Sequence, residues 1–332
     1  MNKDSAIKLI YKMGVIAPIA LTIFTVLFFT LLLKPSHISY KKAINKKNDA
    51  TEMARQEGYE IEVIDNTYGI ITSYLGKDGN VTIPGEINGF EVVKIDDNAF
   101  EGNNYIEKVT IPETIKTVGE RAFCKCSNLK QIELKEGISE IGPYAFEYTN
   151  IERVDFPSTI AMIGDDAFED NSNLKSVSFR DGKDPLSIGN RAFYGTSLEQ
   201  VDFPATVTSI GSFAFGGNNN LKNISFMESD IPLSIGVSAF EYYQGNEMRI
   251  PGNVTDITTT ICQNLEIIRI ERCKIDGVTQ NLNINVPLKE VHGTDTLTEI
   301  KGYIGETVFY GPSGSEMERF AKANGYEFIV EE

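Results

Sequence analysis

Residues 106–129 read IEKVTIPETIKTVGERAFCKCSNL, and the part that decides the fold is the hexad Val118-Gly119-x-x-Ala122-Phe123. The same pattern returns at Ile141-Gly142 to Ala145-Phe146, Ile163-Gly164 to Ala167-Phe168 and Ile188-Gly189 to Ala192-Phe193. It returns again at Ile210-Gly211 to Ala214-Phe215 and Ile235-Gly236 to Ala239-Phe240, and an earlier copy, Ile95 to Ala99-Phe100, has Asp96 at the glycine position. Successive phenylalanines from Phe100 to Phe240 are 23, 23, 22, 25, 22 and 25 residues apart. A fixed period in this range marks a solenoid, in which each repeat buries its apolar side against its neighbours.

Each repeat reads as three pieces. First comes a short strand, as in Ile106-x-x-Val109-x-Ile111, whose alternating apolar residues point to one core. Pro112, Pro157 and Pro204 each end such a strand by removing a backbone donor. An extended piece follows, for example Thr206 to Ile210, and then the hexad. There the glycine is expected to make the turn, the alanine to allow close packing and the phenylalanine to fill the interior. Burying one such ring is worth about 1.5–3 kcal/mol. Three residues after the phenylalanine stands a further column, Asn103, Cys126, Asn171 and Asn218, with Thr149 and Thr196 in the shortened repeats. Short polar side chains there are expected to form a ladder that satisfies inward-facing backbone groups. Cys262 fits the same column if its repeat has lost residues. No second Cys or His pair accompanies Cys124-x-Cys126, so a metal reading has little to stand on.

Moving towards the N-terminus, residues 58–90 alternate and turn like a β-hairpin cap, with Tyr59 to Val63 as a strand. Residues 34–57 are lysine-rich and read as a juxtamembrane linker in which Ala50 to Glu57 could extend as a short helix. Residues 13–33, MGVIAPIALTIFTVLFFTLLL, carry no charge between Lys12 and Lys34. At about 1.5 Å per residue that run spans a bilayer core, and it is read as a transmembrane signal anchor behind a tail of residues 1–12. A cleaved signal peptide is the rival reading, although no small-x-small site follows. Three lysines precede the run and five follow it within residues 34–47, which by charge alone would leave the repeats in the cytoplasm.

Towards the C-terminus, leucine-rich repeats are assigned to residues 91–270 and degenerate repeats to 271–311, where the hexad is lost. Residues 312–332 are expected to form a helix–strand cap. Ser315-Glu316-Met317-Glu318 is a capping box, Asn324-Gly325 a stop, and Tyr326 to Val330 a closing strand. The expected architecture is therefore a mostly β repeat solenoid with some helix (α+β). It has short parallel strands, an N-terminal β cap and a C-terminal helix–strand cap, preceded by one transmembrane helix.

Net charge is −16. Residues 1–50 hold eight of the 31 basic residues and two of the 47 acidic ones, which leaves 23 against 45 and a balance of −22 beyond residue 50. Such a body steers polyanions away, so no nucleic-acid partner is expected. No catalytic motif is present, the two histidines His37 and His292 have no sequence partner, and no cofactor or metal is expected. The adjacent acids Asp96-Asp97 and Asp165-Asp166 fall within the hexad and read as solvated turns, with a weak calcium site as the alternative.

The pattern strand, Pro-x-x-Ile-x-x-Ile-Gly-x-x-Ala-Phe, x-x-Cys/Asn-x-x-Leu resembles the BspA-type leucine-rich repeat family. Ile111-Pro112, Ile115, Val118-Gly119, Ala122-Phe123, Cys126 and Leu129 carry the resemblance. It implies a right-handed leucine-rich solenoid on a cell surface, binding or adhering to protein or glycan ligands without catalysis, and so an extracytoplasmic repeat domain. The family's shared positions are structural, so no binding residue carries over.

A ligand is best sought on the outward strand face. One outward column runs Lys108, Gln131, Arg153, Ser176, Gln200, Asn223; the next runs Thr110, Glu133, Asp155, Ser178, Asp202, Ser225, then Arg249 and Arg269. Both are polar, mixed in sign and without an aromatic ladder. The other reading of this chain is a cell-envelope scaffold or signalling interaction protein with a cytoplasmic repeat domain.

Overall fold

The computed structural model describes residues 37–259, 265–271, 280–284, 288–294, 297–301 and 306–331. The anchor expected at 13–33, Cys262 and Cys273 lie outside the described residues. Among those described, no helix is long and apolar enough to cross a membrane. The chain divides into two units, Met1–Ala50 and Thr51–Glu332. Helix α1 covers His37–Gln56 and is much longer than the short helix read at Ala50 to Glu57. Its sequence contains Ala, Lys, Glu, Gln, Arg and Met, all good helix formers, and no Gly or Pro interrupts it before Gly58.

The second unit is a parallel-strand β-solenoid. The strand before each hexad joins one 13-stranded sheet, which begins with Tyr59–Ile64 antiparallel to Tyr68–Tyr74 and then turns parallel at Phe90–Ile95. It continues coil by coil through Thr117–Val118, Glu140–Ile141, Met162–Ile163, Leu186–Ile188, Val207–Ile210 and Leu233–Ile235. The strands that open the repeats form the other side. Asn80–Thr82 to Ser176–Phe179 make a five-stranded sheet, Gln200–Phe203 pairs with Asn223–Phe226, and Glu247–Ile250 to Glu327–Val330 make another five-stranded sheet. Both interruptions follow the strand of a 25-residue coil. There the chain takes a longer path from Phe179 to Leu186, or from Phe226 to Leu233, than from Phe203 to Val207. Loss of the hexad after residue 240 does not end the solenoid, because Gln280–Ile284, Glu290–His292, Leu297–Lys301 and Val308–Gly311 extend both sides.

The hexad phenylalanines form one column inside. From Phe100 to Phe240, neighbouring rings stack with centroids 4.6, 5.1, 5.1, 5.2, 5.1 and 5.8 Å apart. Tyr74 of the first hairpin continues the column 5.0 Å from Phe100, and Tyr59 lies 4.9 Å beyond it. A second column, Phe156, Phe179, Phe203 and Phe226, meets the first edge-on, as at Phe203 and Phe215. Edge-to-face and offset contacts are the favoured aromatic geometries.

The hexad glycine has a different job from the one expected. At Gly211 a Cβ would lie 2.4 Å from the Asn190 nitrogen and 2.5 Å from the Gly189 carbonyl carbon, both backbone. Gly142 meets Glu120 and Gly119 in the same way at 2.8 Å. The glycine is therefore a clearance between coils, and its N–H donates to the preceding coil, as Gly211 does to Ile188 O at 2.8 Å. Asp96 is tolerated because no hexad precedes it. The turn itself is made by residues before the alanine and two after the phenylalanine. Arg121, Tyr144, Asp166, Arg191 and Phe213 have φ near 55°, as do Lys125, Tyr148 and Asp170. That left-handed backbone is uncommon outside glycine. Here it aims N–H groups along the solenoid: Tyr144 donates to Asp165 O and Arg191 to Ser212 O, each at 2.9 Å.

At the far end, helix α2 (Glu316–Asn324) starts at Ser315, whose hydroxyl accepts from Glu318 N at 3.2 Å. It stops at Gly325 with φ 76°, and Met317 and Ala321 are buried. Glu327–Val330 then pairs parallel to Val308–Gly311.

Candidate functional site: the strand face and the ladder behind it

The ladder column is internal. Asn171 and Asn218 are fully buried, and each reaches back one coil, Asn171 Nδ2 donating to Phe146 O at 2.7 Å and Asn218 Nδ2 to Phe193 O at 2.8 Å. Cys126 Sγ does the same to Phe100 O at 3.1 Å, and Asn103 Nδ2 donates to Gly76 O at 3.0 Å. In the short coils, the Thr149 hydroxyl stands between Phe146 O and the Asn171 side-chain oxygen. Thr196 repeats this with Phe193 O and Asn218. Each carbonyl served belongs to a hexad phenylalanine, or to Gly76 where the column begins, and buried carbonyls need such partners. Burial pushes the Cys126 thiol up to about 12. Cys124 also rises to about 12, through burial and then its bond to Glu147 Oε2 at 3.2 Å. Both are inert structural thiols. Among the described residues no group of three or more His, Cys, Asp or Glu is placed to hold a metal ion.

The paired acids of the hexad's variable positions are engaged as well. Asp97 Oδ1 accepts from Glu120 N at 3.0 Å and Asp165 Oδ1 from Asn190 N at 2.7 Å, each one coil on. Arg191 sits between Asp166 (3.1 Å) and Glu169, with its guanidinium 4.0 Å over the Tyr194 ring. One cation cannot offset two carboxylates in a half-buried place. Burial raises Glu169 to about 7, and neighbouring Asp166 adds to that rise although Arg191 opposes it.

The outward columns stand in register. Lys108 pairs across the sheet with Gln131, Gln131 with Arg153, and Arg153 with Ser176; Gln200 pairs with Asn223. Thr110 is opposite Glu133, Asp155 opposite Ser178, and Asp202 opposite Ser225. The interruption after Phe179 separates the first four coils of each column from the next two. Acids alternate with hydroxyls: Thr110 Oγ1 donates to Glu133 at 3.3 Å, Ser178 Oγ to Asp155 at 2.5 Å, and Ser225 Oγ to Asp202. Lys135 holds Glu133 below the usual carboxylate range. Burial acts upward on Asp155, but bonds from Arg153 (2.7 Å) and Ser178 outweigh it and leave it lowered.

Past residue 240 the second column continues as Arg249, Arg269, His292, Tyr310 and Ile329. Its sequence lacks the hexad that would set the alignment, so His292 and Tyr310 escape a linear reading. Their rings nevertheless stack at 4.3 Å, and His292 lies between Glu290 (3.0 Å) and Glu331 (3.1 Å). The strand face is thus not free of stacked aromatics. The ring planes follow the coil stacking, however, so they present edges rather than an open platform.

Residues 93–184 and 186–313 match the model of the BspA type leucine-rich repeat region, in six copies. The chain belongs to this family. Among solved structures it is similar to a leucine-rich repeat protein of T. pallidum, at 30% identity over 56% of this chain and 86% of that one, with a TM-score of 0.51. It is also similar to a leucine-rich cell surface protein of Faecalibacterium prausnitzii A2-165, at 18% identity over 80% and 95% of the two chains, with a TM-score of 0.43. No curated protein matches it. In this BspA-type chain, the positions that identify the family are those of the core and the ladder, while the strand-face columns vary from coil to coil.

Proposed function

We propose that this chain is a membrane-anchored, non-catalytic binding module whose strand face engages a protein or glycan ligand at the cell surface. The observation that carries the reading is the contrast between an interior ladder that serves the hexad carbonyls and two outward columns, Lys108 to Asn223 and Thr110 to Ser225, whose members pair across the strands on either side of the interruption after Phe179. Solenoids present such columns as one extended surface. In this reading the hairpin Tyr59 to Tyr74 and the unit of helix α2 with its strand are caps closing the ends of a right-handed core, and residues 13–33 hold the module to the membrane. Its place outside the cell rests on the family resemblance.

Protease shaving of sealed cells carrying the full chain tests that placement, with residues 58–332 expected to be cut away; protection of that region overturns it. Binding is tested by screening the full chain against immobilised matrix proteins and glycans, with Ser176→Arg expected to abolish any signal seen. Retention of that signal by Ser176→Arg moves the site off this face. A cytoplasmic scaffold is the second reading, favoured by the five lysines between Lys34 and Lys47 against three before the apolar run. Protection in the shaving assay together with co-purifying membrane proteins supports it.

A further inference from the structure

Beside the strand face runs a column that the ligand reading does not use: Glu107, Lys130, Glu152, Lys175, Glu199 and Lys222. Backbone bonds stack the first four, Lys130 N donating to Glu107 O at 2.9 Å, Glu152 N to Lys130 O at 3.1 Å and Lys175 N to Glu152 O at 3.1 Å, and the last two, Lys222 N donating to Glu199 O at 3.0 Å; across the interruption between them Ser197 N donates to Leu174 O at 3.0 Å. All six are exposed, and the sign alternates at every coil. Alternation would let neighbours pair within the chain, as Lys289 and Glu266 do at 2.6 Å further along the same column. Yet, among the described residues, none of the six makes an ion pair within the chain.

An alternating column of even length is its own complement when reversed. A two-fold axis along the strand direction, between the coils of Glu152 and Lys175, keeps each position along the strand and inverts the coil order. Every Glu then faces a Lys: Glu107 meets Lys222 of the second copy, Lys130 meets Glu199, and Glu152 meets Lys175. The adjoining columns follow suit, with Gln131 against Gln200, Arg153 against Ser176 and Asp155 against Ser178. The one like-charged meeting, Glu133 with Asp202, has Lys135 already paired with Glu133. Such a self-complementary patch is the geometry of an isologous dimer.

We propose that a second copy of this chain docks antiparallel on the strand face of the coils from Glu107 to Lys222. This rests on the reading of that face as a binding surface and names its partner. Six coils at the usual strand spacing of about 4.8 Å offer about 500 Å² per copy, below the standard stable interface, so the dimer is weak and salt-sensitive. It leaves Arg249, Arg269, His292 and Tyr310 uncovered.

The test uses the full chain in detergent. Sedimentation equilibrium should show a dimer at about 50 mM salt that dissociates at about 500 mM, where the screening length is far shorter. Glu152→Lys turns two attractions into two repulsions and should weaken association about tenfold, given exposed pairs of ordinary strength. Glu152→Lys combined with Lys175→Glu should restore it, although the double variant sets like charges side by side within each chain. A column that served only intrachain stacking would instead leave association unchanged and make the double variant the less stable. Carbodiimide, which joins carboxylates to amines without a spacer, should link Glu107 to Lys222 between isotopically distinct copies. Within one chain those residues are five coils, about 24 Å, apart. Failure of the double variant to restore association, or absence of the Glu107–Lys222 link, overturns the proposal. A chain that stays monomeric at low salt also overturns it, while leaving the strand face open to another protein, which the Ser176→Arg screen decides separately.

Discussion

Phe168 and Ser178 belong to successive coils and stand under different rules. Phe168 lies between Phe146 and Phe193 at 5.1 and 5.2 Å, is met edge-on by Phe156, and is fully buried. Ser178 faces outward and meets one carboxylate of the coil before it. Inside, each residue is constrained from both neighbouring coils at once, so the column repeats. Outside, one neighbour and water suffice, so the column is free to change. The inner side carries the fold, and whatever the molecule recognises is written on the other.

Substitutions can be ordered along that contrast. Phe168→Ala should cost the most, about 3–5 kcal/mol, because it removes a ring from the middle of a column that cannot collapse along the solenoid axis. Gly211→Val comes next, at about 1–3 kcal/mol, since the new side chain meets backbone of the preceding coil that has no rotamer to yield. Asn171→Leu should lose about 1–3 kcal/mol by removing the amide bond to Phe146 O and the side-chain oxygen beside the Thr149 hydroxyl, which leaves Thr149 as the remaining ladder contact of that carbonyl. Urea unfolding read by circular dichroism checks all three. Equal losses at Phe168 and at an outward residue would erase the contrast.

Glu169 sits at the boundary and gives a pH signature. Its carboxyl is raised from 4.5 to about 7 in the folded chain. The folded state therefore holds a proton that the unfolded chain releases. The resulting stabilisation is full below about 4.5 and is lost as pH rises towards 7. Wild type should lose stability relative to Glu169→Gln across that window, and parallel unfolding midpoints from pH 4.5 to 7 would show that the carboxyl is not raised. The smallest effect belongs to the strand face, where Ser176→Arg should change stability by no more than about 0.5 kcal/mol.

Much of this was readable from residues alone, for one reason: the repeat is covalent. A period of 22 to 25 residues puts Phe on Phe and Asn under Phe carbonyl whatever the details of the coil, so the core, the ladder of Asn171 and Asn218, and the outward columns can be named by counting. Counting fails where a residue's role depends on distance between coils. Gly211 looks like a turn residue in sequence, yet the left-handed turn falls on Phe213, and the glycine is needed only because Asn190 and Gly189 come within 2.5 Å of its missing side chain. Asp165 looks like a solvated acid and is a partner for a backbone N–H 25 residues on. Arg191, Asp166 and Glu169 are unremarkable singly and form a cluster only once two coils are stacked.

The sequence by itself determined that this chain is a solenoid of the BspA type, which columns face inward and which outward, and that the body beyond residue 50 is acidic. Tertiary structure alone decided how closely the coils approach and which backbone groups the hexad's variable residues serve. It also decided that the strand side breaks after Phe179 and again after Phe226, and that six alternating charges along one edge make no ion pair among the described residues. The first set follows from periodicity, which the chain carries in its order. The second follows from contacts between residues a full coil apart, whose spacing is set by the packed rings and the inter-coil hydrogen bonds.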